Sequence, residues 1–363
     1  MRRIVLLLAL IFALTTLGGC PNSPLHNPVK PDYQLSFPRD HWAHDNYYLE
    51  WWYFTGHLEA DNGERYGFEL VFFKKHTEGE FRLGVPVWWV SNPAYVSHFT
   101  ITDMQGRTFN QAERIGLKKP LRGGASSDKF VLWNEDWRAM QLGEDWYLSA
   151  QMPGYGIDLL VNPLKPPVLH GENGYSRKGE QGGASYYTSL TRLEVKGTMV
   201  RDGEPLRVSG QAWMDHEVLS PTIAENLVGW DWFSIQLDND HELMLFTLHT
   251  SDGGIDPCSS GTIVMPDGSY EHFYSESFEI RPLSYWTSEE SRAKYPSSWR
   301  IKVPQYDVDL VVLPVLRDQE VRPRLTQITY WEGAVGVQGT LGSQTVSGQG
   351  YVELSGYDKP IDL

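Results

Sequence analysis

The chain is poor in cysteine, in positive charge, in long apolar runs and in the motifs that mark the commoner enzyme classes. Cys20 and Cys258 are the only cysteines among 363 residues, so neither a zinc ribbon nor a disulfide-dense scaffold can be built. Lys and Arg number 31 against 46 Asp and Glu, a formal charge of −15 at pH 7. Nucleic-acid binding needs clustered cations for the phosphates, and no basic patch occurs. A mean hydropathy of −0.39 excludes a polytopic membrane protein. There is no G-x-S-x-G elbow, P-loop, dinucleotide-binding glycine pattern or H-E-x-x-H motif. Helical signals are scarce as well. Thr287 to Lys294 is the one clear helix predicted, with a Thr287/Glu290 capping box and Pro296 beyond it.

Aromatics and turn formers are plentiful: 14 Trp, 19 Tyr and 14 Phe beside 34 Gly and 22 Pro. Aromatics fill pleated faces and Gly/Pro punctuate turns, so the chain reads as all-β. Tyr48 to Leu58 is aromatic and β-branched, and Asp61-Asn62-Gly63-Glu64 after it predicts a hairpin returning through Tyr66 to Phe73. Gly229 to Leu237 opens a second half in the same way, with a turn at Asp238-Asn239-Asp240 and a return from Glu242 to Leu248. Trp51, Tyr53, Phe54 and Leu58 fall on Trp230, Trp232, Phe233 and Leu237 at one constant offset. The halves also end alike: Val208-Ser209-Gly210-Gln211-Ala212-Trp213 matches Val346-Ser347-Gly348-Gln349-Gly350-Tyr351. A repeat this long means two duplicated domains, residues 41–222 and 223–363, each an antiparallel barrel or sandwich. Residues 162–183 form a Pro/Gly-rich insertion without strand pattern, readable as a lid, a portal or a mobile surface loop.

The N-terminus reads as an address. Arg2 and Arg3 precede a short apolar run, Ile4 to Leu17, that ends in a lipobox-like Leu17-Gly18-Gly19-Cys20. This predicts a lipoprotein signal peptide over residues 1–19, lipidation of Cys20 and a tether over residues 20–40. Pro21 stands where an Asp would retain the protein in the inner membrane. The expected location is therefore the cell envelope, facing the periplasm and anchored by lipid to the outer membrane. Cys258 is then a lone free thiol in the loop Gly254 to Gly261.

One segment carries candidate chemistry. In Trp213-Met214-Asp215-His216-Glu217 a strand puts Trp213, Asp215 and Glu217 on one face and His216 on the other. If the first face lines a barrel, Asp215 is a carboxyl among aromatics, kept protonated by desolvation and able to act as a general acid. The alternative is a structural carboxylate at a strand end. Glu353 is the repeat counterpart of Asp215, so an acid here also fits a role in the fold itself. His41-x-x-His44 reads as loop surface, Ser291-x-x-Lys294 as helix surface, and no metal site or organic cofactor is expected.

The words Glu50-Trp51-Trp52-Tyr53-Phe54-Thr55-Gly56, Ala212-Trp213-Met214-Asp215-His216-Glu217 and Gly229-Trp230-Asp231-Trp232-Phe233 together resemble the carotenoid-hydratase-like, tandem lipocalin-like family that includes secreted proteins of the AttH type. The resemblance implies two lipocalin-like β-barrels packed together. It also implies cofactor-independent addition of water across an isoprenoid double bond, with Asp215 as the acid. The family pattern has Tyr at Trp213, and His and Trp on an upstream strand where this chain has Tyr186 and Thr188. The candidate catalytic residues are accordingly Asp215, Trp213 and Tyr186, with Trp51, Tyr53, Trp230, Trp232 and His216 as ligand contacts. Two readings follow: an exported hydratase or isomerase of an apolar isoprenoid, polyene or lipid-like molecule, or a carrier of such a lipophile without chemistry. For the carrier, an ABC-type transporter of the lipoprotein-release kind is the natural partner.

Overall fold

Trp51-Trp52-Tyr53-Phe54 is apolar in both phases of the two-residue strand period, so a strand here has to be covered on both faces. The computed structural model describes residues 26–76, 93–117, 122–180, 182–220, 224 and 226–361. In it the strand Leu49–Ala60 pairs antiparallel with Arg65–Lys75 on one side and with Glu204–Leu219 on the other. Gly63, at φ 82°, makes the predicted hairpin turn, a conformation open to Gly at no steric cost. These strands belong to a 13-stranded sheet. It curls until Thr108–Leu117 approaches Gly123–Ala125, where a Cβ on Gly116 would lie 2.6 Å from Gly123 Cα.

The second half repeats the plan in a 10-stranded sheet, with Leu227–Leu237 between Glu242–Thr250 and Gln344–Ser355. The architecture is all-β, an almost closed barrel followed by a half-barrel. Trp52, Phe54 and Met214 point into the first core; Phe233, Ile235 and Val352 point into the second.

The opposite faces of the same strands meet between the barrels, where Tyr53, Tyr187, Trp213, Trp232, Phe246 and Tyr351 form a third apolar cluster. Gly67 permits the close approach, since a Cβ there would sit 2.5 Å from the Tyr351 hydroxyl and 2.7 Å from Ala334 Cβ. Polar ties set the register of one barrel on the other. Gln236 Nε2 donates to the Thr191 and Ala212 carbonyls at 2.8 and 2.9 Å. Buried Glu242 is held by Arg192 at 2.5 Å and Lys165 at 2.8 Å.

Several expectations change here. Thr287 to Lys294 is no helix: it joins the strands Glu279–Thr287 and Lys294–Val303, whose Trp286 and Tyr295 stack at 6.0 Å. Cross-strand packing of these rings outweighs a capping signal too short to nucleate a helix. Ser288 and Ser291, in the intervening turn, both donate to Glu320, so Ser291 and Lys294 are not a helix surface. The insertion is docked, with Val168–Leu169 and Tyr175–Arg177 both pairing with Ala184–Arg201. The signal peptide and Cys20 lie outside the described residues. The described part of the tether is packed on the first barrel, with Val29 N bonded to Ser220 Oγ and Asp40 buried.

His41 and His44 are likewise buried rather than on a loop surface. Glu50, also buried, explains His44. Its carboxylate accepts from His44 Nδ1 at 2.8 Å, His216 Nε2 at 2.9 Å and Lys74 Nζ at 3.0 Å. His44 Nε2 faces Asp40 at 3.0 Å, so both of its ring nitrogens meet carboxylates. Burial pulls the His44 pKa down, but Glu50 and Asp40 outweigh it and raise it to about 9. His44 is therefore an imidazolium. A raised histidine stabilises the fold fully below its unfolded pKa of about 6.5, and that gain is lost as pH rises through about 9. His44→Gln should cost about 3–5 kcal/mol in urea unfolding near neutral pH, with the deficit shrinking in alkali. An equal deficit at both pH values would refute the charged network.

Candidate active site between the barrels

Strand register positions the site. Tyr53 lies directly opposite Asp215, and Trp232 directly opposite Glu353. All four side chains point away from their own barrel cores, so the packing of barrel on barrel brings them around one cavity of about 230 Å³. Trp51, Tyr53, Trp230, Trp232 and Phe246 make its walls largely aromatic. The face carrying Asp215 was expected to line a barrel interior. It lines the space between barrels instead, because the interior is filled by the alternate residues such as Met214.

Asp215 is buried and receives three donors. Tyr187 Oη donates to Oδ2 at 2.5 Å, Trp213 Nε1 to Oδ1 at 2.6 Å, and Ser189 Oγ also to Oδ1. Desolvation dominates these bonds and raises the acid to about 7. Tyr187 is itself oriented by Trp232, whose Nε1 donates to its oxygen at 2.8 Å. A neutral Asp215 can turn its proton toward the Tyr187 oxygen, which frees the Tyr187 hydroxyl for the cavity.

The insertion contributes Lys178. Its Nζ is 2.5 Å from Glu217 Oε1 and lies over the Tyr187 and Phe246 rings, 4.7 and 4.5 Å from their centroids. Ser185 Oγ completes the Glu217 pairing. The two charges cancel at one end of the cavity, so the remainder suits a neutral apolar molecule.

A profile of AttH-like proteins matches residues 28–357. The chain belongs to the AttH-like family. It is similar to the crystal structure of a candidate AttH from Nitrosomonas europaea, with a TM-score of 0.81 at 29% identity over 91% of this chain and 99% of that one. Kievitone hydratase from Nectria haematococca superposes with a TM-score of 0.71 at 14% identity, covering 92% and 97%. CghA gives 0.52 at 12% identity, covering 86% and 89%. At such identities these last two likenesses establish the tandem lipocalin-like fold. No curated protein sequence matches the chain.

Within this AttH-like chain the expected site residues divide. Asp215, Trp51, Tyr53, Trp230 and Trp232 line the cavity, and Trp213 supports Asp215 from behind. Tyr186 and His216 do not line it. Tyr186 points the other way, against Tyr33 at 4.7 Å, with its oxygen accepting from Lys30 N. Its neighbour Tyr187 takes the place expected for it, because Ser189 rather than Thr188 pairs with Asp215 and so Tyr187 shares that face. His216 stacks on Trp52 at 4.8 Å.

Ligand atoms of His44, Glu50 and His216 lie within 4.8 Å of one another. Lys74 Nζ already occupies Glu50 Oε2, and a cation would have to displace that ammonium, so the set does not fit a metal. Cys258 is free and buried, with burial raising its thiol pKa and so keeping it protonated.

An acid raised from 3.8 to about 7 holds a proton in the folded state that the unfolded chain has lost. Its contribution to stability is fully present below about pH 4 and is lost as pH rises through about 7. Asp215→Asn should therefore gain on wild type across that window, by about 4 kcal/mol at most. Urea unfolding at both ends of the window tests this, and a pH-independent difference would exclude a protonated Asp215.

Proposed function

We propose that this protein binds a neutral apolar molecule with a trisubstituted double bond, of isoprenoid or polyene type, in the interbarrel cavity and hydrates or isomerises that bond. The observation that carries the reading is Asp215, a carboxylic acid that burial raises to about 7, hydrogen-bonded to Tyr187 at an aromatic cavity. Tyr187 would pass its hydroxyl proton to the alkene carbon while Asp215 replaces it. No tyrosinate persists, since burial holds Tyr187 well above its ordinary pKa. The tertiary cation left behind offers nothing to hydrogen-bond. Aromatic faces are the stabilisers at hand, worth roughly 2 kcal/mol each when desolvated. Lys178 covers Tyr187 and Phe246, so that task falls to Trp51, Tyr53, Trp230 and Trp232. The name of kievitone hydratase, a structural neighbour, agrees with hydration. The Leu17 to Cys20 motif supports a lipid anchor facing the periplasm.

A carrier without chemistry is the second reading. It is favoured by Tyr186 facing away from the cavity, at the position where the catalytic pattern of the resembling hydratases has a His. Organic extraction and mass spectrometry of wild type and Asp215→Asn separate the two. A hydrated lipophile in wild type and its unsaturated parent in the variant support hydration; the same unmodified lipophile in both refutes it. Tyr187→Phe should slow turnover by about 10²–10⁴-fold with little change in KM, as expected for loss of a proton-transfer group.

A further inference from the structure

Hydration moves two protons, one onto carbon and one off the attacking water, and Asp215 accounts only for the first. We propose that Glu353 is the second proton-transfer group of this cavity, taking the proton that water sheds as it adds to the cation. The inference rests on the Asp215 reading above.

Glu353 lines the same cavity from the opposite barrel. It stands opposite Trp232 as Asp215 stands opposite Tyr53, so duplication has set two acids face to face. Trp230 Nε1 and Ser355 Oγ both donate to Glu353 Oε1, each at 3.0 Å. No hydrogen bond to Oε2 occurs among the described residues, so Glu353 keeps an unused acceptor at the cavity that it lines.

The groups around Glu353 explain why it, and not a neighbour, acts as base. Glu332 pairs with it across the strands, and neither Glu332 oxygen has a well-formed hydrogen bond among the described residues. Glu69 lies beyond, accepting from Tyr330 Oη at 2.9 Å. Asp215 and Glu217 face it from the other barrel, and Glu217 is neutralised by Lys178. Tyr53 and Tyr330 add hydroxyls to the same wall. Burial holds Glu332 well above the carboxylate range and Glu69 at about 8, whereas Glu353 sits at about 7 beside Asp215. Burial brings both cavity acids to about 7, and the state with one proton between them holds one acid and one base.

The working state has Asp215 protonated and Glu353 ionised. The proton from Asp215, relayed by Tyr187, forms a C–H bond as the π bond breaks, and the adjacent carbon becomes cationic. Water forms the C–O bond and its surplus proton goes to Glu353 Oε2. Return of that proton to Asp215 through water restores the start, with one water consumed and no net proton.

The test uses the full chain in detergent with geranylacetone, a neutral probe bearing trisubstituted alkenes, in D₂O. Deuterium in recovered alkene reports the first proton transfer, and tertiary alcohol reports capture of water. Glu353→Gln should keep the deuterium exchange, form alcohol about 100-fold more slowly, and lose the rise of alcohol formation with pH that Glu353 ionisation produces. Glu353→Asp should restore part of the alcohol rate. If Glu353→Gln fails to fold by circular dichroism, Glu353→Asp must itself show the loss of alcohol with exchange retained. Alcohol formation at the wild-type rate and with the wild-type pH profile in these variants overturns the role of Glu353 and leaves Asp215 untouched. Absence of deuterium at the reacting alkene's carbons from both recovered alkene and alcohol in wild type, or its unchanged incorporation in Asp215→Asn, overturns the Asp215 reading and the role of Glu353 with it.

Discussion

A strand that is apolar on both faces must be covered twice, and this molecule depends on that demand. Each barrel covers one face of its central strands with its own core. The other face carries Trp51 and Tyr53 in one half and Trp230 and Trp232 in the other, and only the partner barrel can cover it. Burial of these rings drives the halves together through equivalent surfaces. Large rings packed by a duplicated geometry do not fill the space completely, and the cavity is the remainder.

Five of the buried carboxyl groups separate into two regimes by the partners they meet. Glu50 meets Lys74, His44 and His216, and these partners hold it well below the carboxylate range despite complete burial. Asp215, Glu353, Glu69 and Glu332 have hydroxyl or indole partners, or none, and burial wins. A buried charge needs a countercharge; dipoles alone leave the neutral form favoured. The ionised set fastens the N-terminal segment to its barrel, while the neutral set faces the interbarrel space. The ion-paired network and the interbarrel cavity thus lie on the two faces of one strand, with His216 on one and Asp215 on the other.

The repeat shows how the site became asymmetric. Tyr53 and Trp232 are equivalent, as are Trp213 and Tyr351, and Asp215 and Glu353. Trp213 donates to its acid, whereas Tyr351 instead crowds Gly67 at the barrel contact. Lys178 and Tyr187 come from the first half alone. Like strands with unlike partners give two acids with different surroundings.

Much of the fold was legible in the sequence, because strand period and turn chemistry are local. The Asn62-Gly63 hairpin, the alternation that sets Asp215 against His216, and the constant offset between halves all follow from neighbours in the chain. Asp215 and five expected aromatics around it, Trp51, Tyr53, Trp213, Trp230 and Trp232, lie in those strands. Which space that face would line was decided by packing of one barrel on the other, contacts that strand period and turn chemistry do not specify. The register between Ala184–Arg201 and Glu204–Leu219 determines which of two adjacent tyrosines faces Asp215, and it selects Tyr187 over the expected Tyr186. Lys178 lay in an insertion without periodicity, and a capping box at Thr287 mimicked a helix inside a hairpin. Sequence alone determined the strands, their repeat and the face of Asp215 opposite to that of His216. The tertiary structure decided the location of the cavity and the upward shift of the Asp215 pKa, since desolvation belongs to the assembled barrels and to no segment by itself.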